Sequence, residues 1–154
     1  DAVIERLGQR PDSLQPVEMR GRQALQYQYQ RPQVKKELCG IDVFVDDGST
    51  TPDELAERLR AAAEGILQLK LITNRGVKVW PEGFPETFCT DHWRCRFVST
   101  EATIQAGKAD YRPIPMDAVL ALLNALHGAG VEVVKTEHLY LFDGERGFSL
   151  GQGE

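Results

Sequence analysis

Long apolar runs are missing from this chain of 154 residues. None approaches the roughly 20 needed to cross a bilayer as a helix, so no membrane partner is expected. Cysteine is scarce as well. Three thiols, an odd number without repeat spacing, do not build a disulfide framework and point to a reducing compartment, with the cytoplasm as the expected location. Positive charge does not dominate: 18 Lys and Arg stand against 23 Asp and Glu, a net charge of −5, which leaves no electrostatic case for a nucleic-acid partner. The glycine patterns that cradle phosphates or place a nucleophile at a sharp elbow are absent. Residues 1–10 lack a basic stretch followed by an apolar one, so a signal peptide is not expected.

What is present is ordinary globular material. Hydrophobic residues make up 42% and charged ones 27%, in a length suited to one substantial core. The opening "DAVIERLGQRP" reads as the end of a helix: Ala2, Val3 or Ile4, and Leu7 share a face, Gly8 suits a left-handed cap and Pro11 stops continuation. A helix that short is marginal alone, because nucleation is costly. Two readings stand, a frayed terminus or a chain cut from something larger. In "QALQYQYQRPQ", Leu25, Tyr27 and Tyr29 alternate with glutamines, which permits a short strand. Pro32 and the polar flanks favour a linker or edge strand.

From residue 37 the pattern sharpens. "LCGIDVFVDD" puts Ile41, Val43 and Val45 on one face of a strand, with Asp42 and Phe44 on the other. "TPDELAERLRAAAEG" begins a helix: Thr51 caps, Pro52 suits the first turn and Glu54 completes a capping box. Its stripe is Leu55, Leu59 and Ala62 or Ala63. Leu67, Leu69 and Leu71, the turn Asn74-Arg75-Gly76, then Val77 and Val79 predict a hairpin. "PIPMDAVLALLNALHGAG" gives a second helix, with Met116, Val119, Leu120, Leu123, Leu126 and His127 expected on its buried side. A strand near Val131–Lys135, an apolar run at Leu139–Phe142 and a glycine-punctuated tail close the chain. The order β-α-β-β-α-β, with a hairpin arm, predicts an α+β fold of the split βαβ or ferredoxin-like kind: an antiparallel sheet with two helices on one face.

The segment "CTDHWRC" raises a metal question, since thiolate and imidazole are zinc ligands. Strand alternation answers it. Trp93, Cys95 and Phe97 share one face while His92, Arg94 and Arg96 share the other, so His92 and Cys95 cannot converge on one ion. Cys89 adds at most a second thiol, and Cys95 reads as a small buried hydrophobe. No catalytic, cofactor or metal residue is therefore assigned. Asp46, Asp47 and Gly48 are residue types that a strand end leading to a helix cap also needs. The face of the sheet away from the helices is expected to stay open, presenting Arg94 and Arg96 together with Phe44. Four aromatics are candidate interface residues: Trp80 and Phe84 on the arm Thr73–Pro85, and Tyr27 and Tyr29. Folding of Trp80 and Phe84 back over the core is the competing reading.

In chain order, "GIDVFVDD", "LKLITNRGVKVWP", "DHWRCRFVST" and "HLYLFDGERGFSLGQGE" resemble the extra C-terminal domain of a subgroup of bacterial isocitrate dehydrogenases. The resemblance runs from Lys35 to Glu154, with least correspondence at Glu101–Arg112, a variable loop. In weaker form "DAVIERLGQRP" resembles the last helix of the catalytic domain in those enzymes. The resemblance implies three parts: residues 1–11 as the end of that helix, 12–36 as a linker and 37–154 as the accessory domain. It implies a parent that converts isocitrate to 2-oxoglutarate and CO2 with reduction of NADP and with Mg²⁺ or Mn²⁺. That chemistry sits in the dehydrogenase domain, so the fragment itself is expected to hold no cofactor and no catalytic residue. Expected partners are the parent dehydrogenase domain and further copies in a homo-oligomer. A ligand-sensing regulatory role is the alternative.

Overall fold

The run Ile41, Val43, Val45 builds the strand on which everything else is hung, β1 (Lys36–Asp46), with all three side chains fully buried. The computed structural model describes residues 1–9, 12–13, 30–105 and 108–151. After β1 come α1 (Pro52–Ala62), β2 (Gln68–Asn74), β3 (Val77–Trp80), β4 (His92–Val98), β5 (Thr103–Gln105), β6 (Lys108–Asp110), α2 (Met116–Gly128), β7 (Val133–Phe142) and β8 (Glu145–Arg146). The chain divides into two compact units, Asp1–Pro32 and Gln33–Glu154. Within the first, Ile4–Arg6 forms a single 3-10 turn, and Val3, Ile4 and Leu7 are exposed. Tyr27 and Tyr29, with the strand expected around them, lie outside the described residues.

The second unit is α+β: a six-stranded antiparallel sheet in the order β3-β2-β4-β1-β7-β8, with β5 and β6 as a separate hairpin. Rows of side chains across the sheet explain its core. Ile72, Cys95 and Val43 form one register row, and Leu69, Phe97 and Ile41 another. Onto these rows α1 lays Leu55, Ala56 and Leu59, and α2 lays Val119, Leu122 and Leu126. Each fully buried leucine of this set contributes about 1.5–3 kcal/mol through burial. The capping box expected at α1 is present: the Glu54 carboxylate accepts from the Thr51 amide at 2.9 Å, and the Glu54 amide donates to Thr51 Oγ1 at 3.3 Å.

Two expectations need correction. The buried side of α2 is Val119, Leu122 and Leu126, whereas Met116 and Leu120 are exposed, as is His127. The stretch from Ala118 to Leu123 is apolar all round, so no polar face fixes the rotation of the helix from sequence. Packing on the sheet decides it. The face of the sheet away from the helices is also not left open. Arg96 and Asp42 are fully buried there, and Arg94 is half-buried. The cause is the C-terminal segment, which returns across that face after β8. Phe148 and Leu150 pack on a second small core of Cys39, Val98, Tyr111 and Leu139.

Candidate functional site

The second face of the sheet holds a buried polar cluster. Register places Asp42 on β1 directly opposite Arg96 on β4, and Phe44 opposite Arg94. The Asp42 carboxylate accepts from Arg96 Nε at 2.8 Å and Nη2 at 3.0 Å, and from Arg94 Nε at 2.7 Å and Nη2. One buried anion is thus shared between two guanidinium groups, the arrangement that compensates a buried charge. Arg96 also donates to the Ser149 carbonyl at 3.0 Å and lies over the Phe148 ring, 5.1 Å from its centroid. Phe148 in turn meets Tyr111 edge-on at 5.0 Å. Gly147 lets this strap pass close to β7: a Cβ there would stand 2.4 Å from Phe142 Cε2.

Beside the strap the same face keeps an open groove of ≈ 760 Å³, whose lining includes Phe44, Arg75, His92, Arg94, Glu137 and His138. His92 stacks on Phe44 with ring centroids 5.6 Å apart, and Lys135 Nζ stands 4.2 Å from the Phe44 centroid. Aromatic and basic side chains thus share the groove lining with the Glu137 carboxylate.

The arm is the other projecting feature. Asn74, 1% exposed, closes its base: its side-chain amide donates to the Thr90 carbonyl at 2.8 Å and its oxygen accepts from the Thr90 amide at 2.9 Å. Trp80 at the end of β3 is half-buried against the main core. The chain then turns through a cis Trp80–Pro81 bond to Gly83, where a Cβ would lie 2.2 Å from the Val79 carbonyl oxygen. Beyond that turn Phe84 and Phe88 are 70% and 72% exposed, with Arg75 5.7 Å from the Phe88 centroid. Trp80 and Phe84 thus share the arm but face opposite ways, one toward the core and one toward solvent. Phe88, the bonds of Asn74 to Thr90 and the choice of Asp42 as the shared partner of Arg94 and Arg96 were not legible in the sequence. A lone polar residue at the strand end before a glycine turn was the only signal for Asn74.

The "CTDHWRC" residues separate as strand alternation requires. Cys95 is fully buried on the helix face, His92 is exposed on the other, and Cys89 is half-buried near the base of the arm. Among the described residues no three His, Cys, Asp or Glu side chains gather where they could hold a metal ion. Burial raises all three thiols above their ordinary pKa, Cys39 to about 11. A raised pKa disfavours the thiolate that a nucleophile or metal ligand needs. No helix among the described residues is long and apolar enough to cross a membrane.

Comparison with known proteins gives these forms a context. The family model described as bacterial isocitrate dehydrogenase, C-terminal domain, matches residues 36–154. The isocitrate dehydrogenase (NADP) of Rickettsia felis is 31% identical over 159 residues, covering 100% of this chain and 31% of that protein. The enzyme of the same name from Thermus thermophilus is 31% identical over 166 residues, covering 100% of this chain and 30% of its own length. A crystal structure of a Thermus thermophilus protein aligns with TM-score 0.67 at 32% identity, over 99% of this chain and 30% of that one. The chain therefore spans about a third of the curated relatives it matches.

Proposed function

This chain belongs to the family of bacterial isocitrate dehydrogenase C-terminal domains, and we propose that it serves such an enzyme as a non-catalytic module for oligomer assembly or stability. The proposed parent converts isocitrate to 2-oxoglutarate and CO2 with reduction of NADP, using Mg²⁺ or Mn²⁺ held by its dehydrogenase body. In this layout residues 1–11 end the catalytic domain, 12–36 link and 37–154 form the module. The ferredoxin-like reading of its scaffold is supported by the order β2-β4-β1-β7, in which the two helices each connect strands separated by one neighbour.

The observation that carries the assembly reading is the arm. Phe84 and Phe88 are largely exposed on a loop whose base is pinned by Asn74 and whose root is anchored by Trp80. Large exposed aromatics on a held loop suit a protein contact, because little conformational entropy is lost when they are covered. We assign their partner as the dehydrogenase body. Replacing both, Phe84→Ser with Phe88→Ser, in the complete enzyme is expected to lower its melting temperature or dissociate its oligomer while turnover per active site holds. An unchanged melting temperature and oligomer would count against the arm.

A second reading, ligand-sensing regulation of the same enzyme, is favoured by the groove beside Phe44. Arg75, His92 and His138 would face a small carboxylate there, beside Glu137 and the Arg94 that Asp42 holds. Calorimetric titration of the chain with isocitrate and with 2-oxoglutarate separates the readings, since saturable heat lost in Arg94→Ala supports sensing and its absence removes it.

A further inference from the structure

The open edge of the sheet is self-complementary. On its inner side β7 pairs with β1 from Val133 to Phe142, but on its outer side β8 pairs only with Leu141 and Phe142. The return of the chain adds one more bond, from the Gly147 amide to the Tyr140 carbonyl at 2.9 Å. Among the described residues no strand pairs with the outer edge from Val133 to Leu139. Residues 134–138 are exposed throughout, Val134 by 54%. The register skips Val134 between Phe44↔Lys135 and Val45↔Val133, a bulge that blunts the start of this edge, and the regular stretch from Lys135 to Leu139 keeps unpaired backbone groups that accept another strand.

The charges along this edge centre on Thr136. Lys135 and Glu137 flank Thr136, lie on one face of the strand and touch at 3.0 Å. We propose that a second copy of this chain pairs antiparallel along this edge, with the two-fold axis at Thr136. In that register Lys135 of each copy lies opposite Glu137 of the other, so that four charges alternate in sign around the axis. Pairing ends where β8 begins, so β8 limits the seam and is not displaced by it. The order of the charges selects this axis. The contact closes as an isologous dimer. The idea rests on the assembly reading and supplies its seam.

Charge exchange tests it. The 154-residue chain and its variants Lys135→Glu and Glu137→Lys would be examined by sedimentation velocity over a concentration series, with circular dichroism as the check on folding. Each variant alone puts like charges opposite each other twice, and is expected to weaken self-association at least about tenfold. An equimolar mixture of the two variants restores opposite charges at every position and is expected to associate again as a heterodimer. A dimeric wild type whose variants associate equally well would overturn the β7 seam and leave assembly through another surface. A wild type that stays monomeric at every concentration would overturn the seam and remove self-association from the assembly reading.

Discussion

Removing the carboxylate of Asp42 is expected to be among the most damaging single changes in the domain. Asp42 and Arg96 are fully buried, and the carboxylate accepts two N–H bonds from Arg96 and two from Arg94. A solvent-exposed ion pair is worth about 0–1 kcal/mol, but losing one partner of a buried pair costs about 3–5 kcal/mol, because the surviving charge is stranded away from water. Asp42→Ala takes this carboxylate from Arg96 while the Ser149 carbonyl still accepts from it, so the lower part of that range, about 3–4 kcal/mol, applies. Against a total domain stability of about 5–15 kcal/mol, that is a large fraction. Arg94→Ala should cost less, about 1–2 kcal/mol, since that side chain keeps 27% exposure and Asp42 keeps Arg96. Urea unfolding followed by circular dichroism measures all of these. The informative control is Asp42→Leu combined with Arg96→Met, which removes the two fully buried charges, leaves only the partly exposed Arg94, and should recover most of the loss. A cost below about 1 kcal/mol for Asp42→Ala would refute the claim that this pairing holds the second face together.

Other expectations concern packing, the strap and acid. Leu122→Ala should destabilise by about 2–5 kcal/mol and Leu120→Ala by under about 1 kcal/mol, since Leu122 is fully buried and Leu120 is 53% exposed. Equal unfolding midpoints for the two would reverse the rotation assigned to α2. Phe148→Ala removes the Tyr111 contact and the ring under Arg96, and should cost about 1–3 kcal/mol. It should also speed hydrogen exchange at the Gly147 amide, which donates to Tyr140. For pH, the Arg58 guanidinium beside Asp47, helped by the Ser49 amide, holds the Asp47 carboxyl below the usual carboxylate range. A depressed folded value adds stability above the unfolded pKa and loses it as pH falls through the folded one. Arg58→Ala should therefore unfold at lower urea than wild type near neutral pH, with the gap closing as pH falls toward about 2. A gap that widened in acid would assign the wrong sign.

Local signals carried far in this chain, and long-range ones did not. The helix start at Thr51 was legible because its capping box lies within four consecutive residues, and the β2–β3 hairpin because Asn74-Arg75-Gly76 sits between alternating runs. Alternation also separated His92 from Cys95 before any fold was in hand. The burial of Arg96 was not legible. Its cover, Phe148 and Ser149, lies 52 and 53 residues further along the chain, and nothing local marks that return. The rotation of α2 escaped for a different reason, an apolar surface too broad to name one face. Of the four aromatics read as interface candidates, alternation and loop composition could place Trp80 and Phe84 on the arm, but not tell which would turn inward. The cramped turn at Gly83 sits between them.

The most direct test of the assembly role is to compare the complete enzyme with a version lacking residues 33–154, recording oligomer mass, melting temperature and turnover per active site under saturating isocitrate, NADP and Mg²⁺. An assembly or stability module predicts fewer subunits per oligomer or a lower melting temperature, with isocitrate-dependent NADP reduction retained by the part that stays folded. Loss of that activity from a truncated enzyme whose subunit count and melting temperature are unchanged would contradict it, and would place catalysis or its control within this domain.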